Sequence, residues 1–192
     1  NTQVNSSAAS DVYKRQGLDP DKGISAVLGL SYIIQELHAY NDLEKGISVN
    51  VGLIEGGVQT NVIAPQSLAK VDVRVPTTAD AQHLQEVILN LSSPMEGITL
   101  EIDGRFNRPP LEPTVDNQRL WRTAAALAGD LGFSLQQGLA GGGSDGNYTS
   151  LYTATLDGLG AVGDGAHARH EFLYIDKMIE RSALLALLLL TP

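Results

Sequence analysis

The sequence has no cysteine, which excludes a disulfide framework and a thiolate metal site and leaves His, Asp and Glu as the ligands for any metal. Long apolar runs are also missing. The most hydrophobic stretch, Ser182 to Leu190, reaches about half the length of a membrane-spanning helix and predicts a buried terminal helix. Basic residues are outnumbered: 13 Lys and Arg against 22 Asp and Glu give a net charge of -9, a field that repels phosphate backbones and anionic lipid surfaces. Nucleic acid and membrane are therefore not the expected partners. No secretory signal is visible, and a cytoplasmic protein is the expectation, although composition alone leaves the compartment open. What remains is a hydrophobic content of 43% in 192 residues, enough for one medium domain or two small ones with a real core.

Residues 1–16 show neither a helical nor a strand period and read as a disordered or non-native tail. Asp19 as N-cap and Pro20 as first helical residue then open a predicted helix whose apolar face runs through Ile24, Val27, Leu28, Leu30, Ile34 and Leu37. After Lys45-Gly46, the residues Ile47, Val49, Val51 and Leu53 alternate with polar or small ones, the pattern of a half-buried strand. A second strand places Ala69, Val71, Val73 and Val75 on one face and Lys70, Asp72 and Arg74 on the other. Thr77 or Thr78 caps a helix through "ADAQHLQEVILNL", and "ITLEIDGRF" alternates again. This series needs one further strand in front to become the ferredoxin-like βαββαβ arrangement, an α+β fold. The expectation is a domain over residues 17–107 whose first strand is missing; the alternative is a smaller three-stranded domain with a natural tail.

The proline cluster from Arg108 to Pro113 marks the crossover into a second unit, residues 108–192. There Asp116 caps a helix, a strand is predicted around "FSLQQGL", and the glycine-rich "AGGGSDGN" precedes a short helix and a buried strand within "YTSLYTATLDGLGAVG". A capped helix "IDKMIERSALLALLLL" closes the chain. The alternation indicates α/β, but about 80 residues is too few for a complete doubly wound sheet, so the unit reads as half a domain.

Several residues are chemical candidates. Gly142-Gly143-Ser144-Asp145-Gly146 satisfies G-x-S-x-G, and Asp157 or Asp164 followed by His167 follows the chain order of a hydrolase triad. The acid and base of such enzymes normally sit at the ends of later strands, whereas Ser144 and His167 are close in sequence. The glycines require close backbone approach and no reactive side chain. Phosphate binding by the same loop lacks the P-loop lysine, and Asp145 sits where negative charge opposes an anion. His167 stands behind a pliant "GDGA" approach; one imidazole does not hold a zinc ion, since catalytic sites take three protein ligands. His38 and His83 read as solvated helix residues, and His170 sits beside Arg169. Asn61 follows a double glycine, and Arg74 is either a carboxylate clamp or the surface partner of Asp72.

Taken together, "GGVQTNVIAP…VDVR", "GGGSDG" and "GLGAVGDGAHARHEF" resemble the di-zinc metallopeptidase and aminoacylase family typified by the glutamate-releasing carboxypeptidase G, over residues 17–192. The resemblance implies a ferredoxin-like lid that forms a homodimer and interrupts a three-layer α/β catalytic domain, whose C-terminal half is the second unit. It implies that His167 is a terminal ligand to one of two zinc ions, with cobalt or manganese as alternatives. Asn61, Arg74 and Arg108 match substrate carboxylate positions, and Gly143 matches a backbone contact to substrate. The implied reaction is hydrolysis of an N-acyl amino acid or a peptide with a free carboxylate by a metal-activated water. The family's other ligands, its glutamate base and the "histidine-alanine-glycine" stretch before Gly17 are absent, so the chain is expected to be an inactive fragment by itself. The rival readings are a serine hydrolase using Ser144 and His167, and a non-catalytic dimerisation or binding module.

Overall fold

The computed structural model describes residues 2–8, 23–93, 95–138, 143–166 and 168–191. The chain forms two compact units, Asn1–Pro110 and Leu111–Pro192; the sequence put the boundary at 107/108.

The first unit runs β1 (Thr2–Ala8), α1 (Ala26–Ala39), β2 (Ser48–Gly56), β3 (Gln66–Arg74), α2 (Thr78–Leu89) and β4 (Ile98–Gly104). Its sheet has the order β2-β3-β1-β4, antiparallel throughout, which is the complete ferredoxin-like βαββαβ arrangement. Here the expectation is corrected: the missing first strand is supplied by the segment read as a tail. Thr2 lies opposite both Val71 of β3 and Gly104 of β4. Without β1, the facing edges of β3 and β4 would leave unpaired N–H and C=O groups at the centre of the sheet. The segment has only Val4 and Ala8 as apolar residues, so backbone pairing places it, and side-chain periodicity carries no signal.

Helix α1 starts at Ala26, with Ser25 as N-cap accepting from Leu28 N at 3.3 Å. Asp19 and Pro20, expected to open it, lie outside the described residues. The buried stripe is Ala26, Leu30, Ile33 and Leu37, spaced as one helical face; Ile24, Val27 and Leu28 fall beside it and stay exposed. That stripe packs with Val49, Ala69, Val71 and Ile88 of α2 into the core. Thr77 caps α2 through Asp80 N at 3.1 Å, so of the two candidate threonines the earlier one serves.

The alternation predicted for β2 breaks at a bulge. Val49 and Val51 pair with Val73 and Val71 on the core face, but the register shifts between Val51 and Leu53. Leu53 then pairs with Lys70 on the outer face, and Ile54 takes the inner position opposite Ala69. Ile54 is nevertheless 56% exposed, because β2 is an edge strand.

The second unit contains α3 (Val115–Asp130), α4 (Gly146–Thr149), the two-residue strands β5 (Gly163–Asp164) and β6 (Phe172–Leu173), and α5 (Ile175–Leu190). Thr114, and not Asp116, caps α3; it accepts from Asn117 N at 3.1 Å while Asp116 pairs with Arg119. The strand expected at Phe133 is irregular over residues 133–138, and so is the segment 154–162. A strand exists through its ladder partner, and among the described residues of this unit only β5 and β6 pair. Ala124 and Ala128 of α3 and Leu184 of α5 are buried. The rest of α5 corrects the buried-helix expectation: Leu184 alone is fully buried, Ile179 is 73% exposed and Leu190 81%. Its start at Tyr174 has no side-chain cap. Among the described residues no helix is long and apolar enough to cross a membrane.

Candidate functional site

In the first unit the candidate residues stand at the two ends of the sheet. The β2–β3 connection, which carries Asn61, is tied down at its base. Gly57 N donates to Gln66 O at 3.4 Å, Ala26 N to Ala64 O at 2.9 Å, and the buried Ser67 hydroxyl to Ala26 O at 2.9 Å. Gly56 allows this closeness, since a Cβ there would lie 2.8 Å from Ser67 Cβ and 2.9 Å from Val27 Cγ2. Asn61 itself is exposed in a turn.

Arg74 ends β3 with its Nε 2.9 Å from Asp72 Oδ2, the same-face pairing considered from the sequence. Both side chains are about half exposed, so the bridge adds little stability and orients the guanidinium. Because Thr2 faces both Val71 and Gly104, β3 and β4 finish at the same end of the sheet. The exposed Arg108, four positions past β4, follows from that end. Between the Asn61 connection and Arg74 lies the whole of β3, about 27 Å at about 3.4 Å per residue. The structure therefore does not bring Asn61 and Arg74 of one chain together.

In the second unit Gly143 is exposed, just before Ser144. Ser144 and Asn147 fix the approach to α4: Gly146 N donates to Ser144 Oγ at 3.1 Å, and Ser144 N donates to Asn147 Oδ1 at 2.8 Å, while the N-cap residue Asp145 makes no side-chain cap bond. Behind it, the buried Asn117 donates to Glu112 O at 2.8 Å and Ser150 Oγ at 2.7 Å, and accepts from Thr155 N at 2.7 Å. One amide thus ties the start of α3 to Ser150 and Thr155, on either side of the turn that follows α4. Neither asparagine was a candidate from sequence, although Thr114-x-x-Asn117 and Ser144-x-x-Asn147 share a cap-like spacing that pointed to them. Asn117→Ala is expected to lower stability by about 2–4 kcal/mol, because it strands buried partners as well as removing bonds. Urea unfolding of the parent and variant measures this; a loss within 0.5 kcal/mol, about the scatter of neutral surface changes, would refute the clamp.

His167 lies outside the described residues, but its frame does not. β5 and β6 pair Gly163 with Leu173 and Asp164 with Phe172, and Tyr174 N donates to Val162 O at 2.9 Å. Gly165 has φ 73°, the left-handed conformation that turns the chain out of β5, and its N–H donates to Asp164 Oδ1 at 2.7 Å. Residues 165–166 and 168–171 thus lie between the two paired strands. Among the described residues no three His, Asp or Glu side chains gather into a metal-binding group. These residues do not fit a zinc centre by themselves, and no chemical step is assigned to a metal here.

The peptidase dimerisation domain family matches residues 10–95. Human aminoacylase-1 is 29% identical over 117 residues, covering 59% of this chain and 29% of that protein. Among solved structures, the aminopeptidase PepT of Bacillus cereus superposes with a TM-score of 0.72 at 17% identity, over 97% of this chain and 50% of that one. The YXEP protein of Bacillus subtilis, a dinuclear metal binding peptidase of the M20 family, gives 0.71 at 16% identity over 97% and 48%. At such identities the structural likeness is one of fold, and the chain spans half or less of the length of these relatives. The match to the peptidase dimerisation domain covers 86 of the 192 residues, so the chain is similar to M20 peptidases in that domain and in fold.

Proposed function

We propose that this chain is the dimerising lid and C-terminal catalytic portion of a metal-dependent hydrolase that cleaves the amide bond of N-acyl amino acids or C-terminal residues of peptides. The observation that carries the reading is the complete βαββαβ sheet joined to a dimerisation-domain match, with Gly143 just before α4 in the second unit. The exposed apolar side of α5, with Ile175, Ile179 and Leu189 all above 70% exposed, supports a catalytic domain completed by further polypeptide.

In this reading the chain's own residues bind and orient. Arg74, held by Asp72, and Arg108 beyond the same sheet end supply cations for a substrate carboxylate, and Asn61 supplies a neutral hydrogen-bonding amide. A homodimer resolves their separation. Antiparallel pairing of two β2 edges about a two-fold axis reverses strand direction, so the Asn61 end of one lid stands at the Arg74 end of the other. Each substrate then draws on both copies. Bound metal would supply Lewis-acid polarisation of the scissile carbonyl and an acidified water, with His167 as the one ligand proposed from this chain.

The hydrogen bond that the Ser144 hydroxyl accepts from Gly146 N supports this reading over the serine hydrolase. In the complete protein a chelator is expected to abolish hydrolysis of an N-acyl amino acid, with zinc restoring it, and an active-serine phosphonate is expected to leave Ser144 unlabelled. Residues 1–192 with added zinc are expected to show no turnover. Chelator-resistant activity together with labelled Ser144 would establish the serine mechanism instead.

A further inference from the structure

We infer that Asn147 is a positioning residue that fixes the Gly143–Ser144 peptide, so that this peptide offers substrate a carbonyl acceptor. The inference rests on the amidohydrolase reading, in which Gly143 touches substrate. Asn147 is 8% exposed on a four-residue helix, too short to be held by its own hydrogen bonds. Burying an amide is unfavourable unless its polar atoms are bonded, and here Oδ1 accepts the Ser144 N–H at 2.8 Å.

The peptide unit is planar and trans, so its N–H and C=O point in opposite directions. Holding the Ser144 N–H on Asn147 therefore turns the Gly143 carbonyl away from the buried side. Glycine at 143 leaves no side chain beside that oxygen. The matching group on a substrate is a hydrogen-bond donor, and an N-acyl amino acid carries one, its amide N–H. Asn117 supports the arrangement from behind through Ser150 and Thr155, and Ser144 Oγ closes it through Gly146 N. A pliant glycine run would otherwise lose binding energy to ordering on each encounter. The asparagine makes that ordering part of folding.

Two measurements test this. In residues 1–192, Asn147→Ala is expected to speed hydrogen exchange of the Ser144 amide by about tenfold, the worth of one hydrogen bond, while Asn147→Asp, which keeps the acceptor, retains the protection. In the complete protein, binding of an N-acyl amino acid is compared with that of its N-methylated analogue, read as KM and Ki. The parent is expected to bind the N–H form about tenfold better, Asn147→Ala to lose most of that preference, and Asn147→Asp to recover it. Should Asn147→Ala not fold, Asn147→Gln, which displaces the amide by one methylene, gives the same comparison. Unchanged exchange overturns the geometry. Faster exchange with the full N–H preference intact overturns the positioning role and leaves the hydrolase reading standing, whereas a parent that hydrolyses no amide removes both.

Discussion

A Leu53→Asp, Ile54→Asp double variant is expected to run as a monomer at concentrations where the parent chain is a dimer, with dissociation strengthened at least about 100-fold, or roughly 3 kcal/mol. Both side chains sit on an edge strand at 38% and 56% exposure, and the bulge after Val51 puts Leu53 on the outer face and Ile54 on the inner one. Edge strands ordinarily carry charge or a covering element that blocks pairing with another chain. This one presents Val51, Leu53 and Ile54. Beside it, α1 exposes Val27, Leu28 and Tyr32 at 40–46%, and Val27 lies against the end of β2 at Gly56. Strand edge and helix flank together offer the apolar surface that the proposed second copy would cover. Two carboxylates on that surface must be desolvated for the copies to meet. Since neither side chain is part of the core, far-ultraviolet circular dichroism should be unchanged. Sedimentation equilibrium decides the matter; a double variant that remains dimeric places the interface elsewhere, and in the complete protein a monomer should also lose activity as Asn61 and Arg74 part.

Gly163→Ala is expected to be the most damaging single methyl in the second unit. Its Cβ would lie 2.0 Å from the Phe172 carbonyl oxygen and 2.9 Å from Leu173 Cα. Both are backbone atoms, so no side chain can swing aside, and β5 and β6 must separate. Overpacking of this kind costs about 1–3 kcal/mol or more. The sensitive readout is hydrogen exchange at Tyr174, whose N–H bonds Val162 across the hairpin: its protection should fall by at least tenfold, about 1.4 kcal/mol. Gly160→Ala is the control, because a Cβ at Gly160 meets nothing within 4 Å. Equal behaviour of the two variants would show that the hairpin is not packed as described. In the complete enzyme, Gly163→Ala should also weaken metal retention if the hairpin carries His167 as proposed.

The readings that held share a physical basis. Val71 and Val73 on β3 and Leu30 and Leu37 on α1 were legible because burial on one side of a regular element imposes a period on the sequence itself. Caps were less legible. Ser25, Thr77 and Thr114 serve, where Asp19, Asp116 and either of two threonines were equally plausible, since a cap is chosen by where packing stops the helix. The α5 reading failed because a run of leucines states only that some surface will be covered, and not by what.

Sequence by itself determined the α+β character of the first unit, its polar and apolar strand faces, the glycine-rich approach to His167 and the family resemblance, because each of these is written in local spacing or in residues that a turn requires. Tertiary structure alone decided that Thr2–Ala8 completes the sheet, that a bulge reverses Leu53 and Ile54, that Asn61 and Arg74 stand at opposite ends of β3, and that Asn117 and Asn147 hold the loop. Those facts depend on backbone groups and buried amides finding partners far along the chain, and hydrogen bonding between distant segments leaves no period in a sequence.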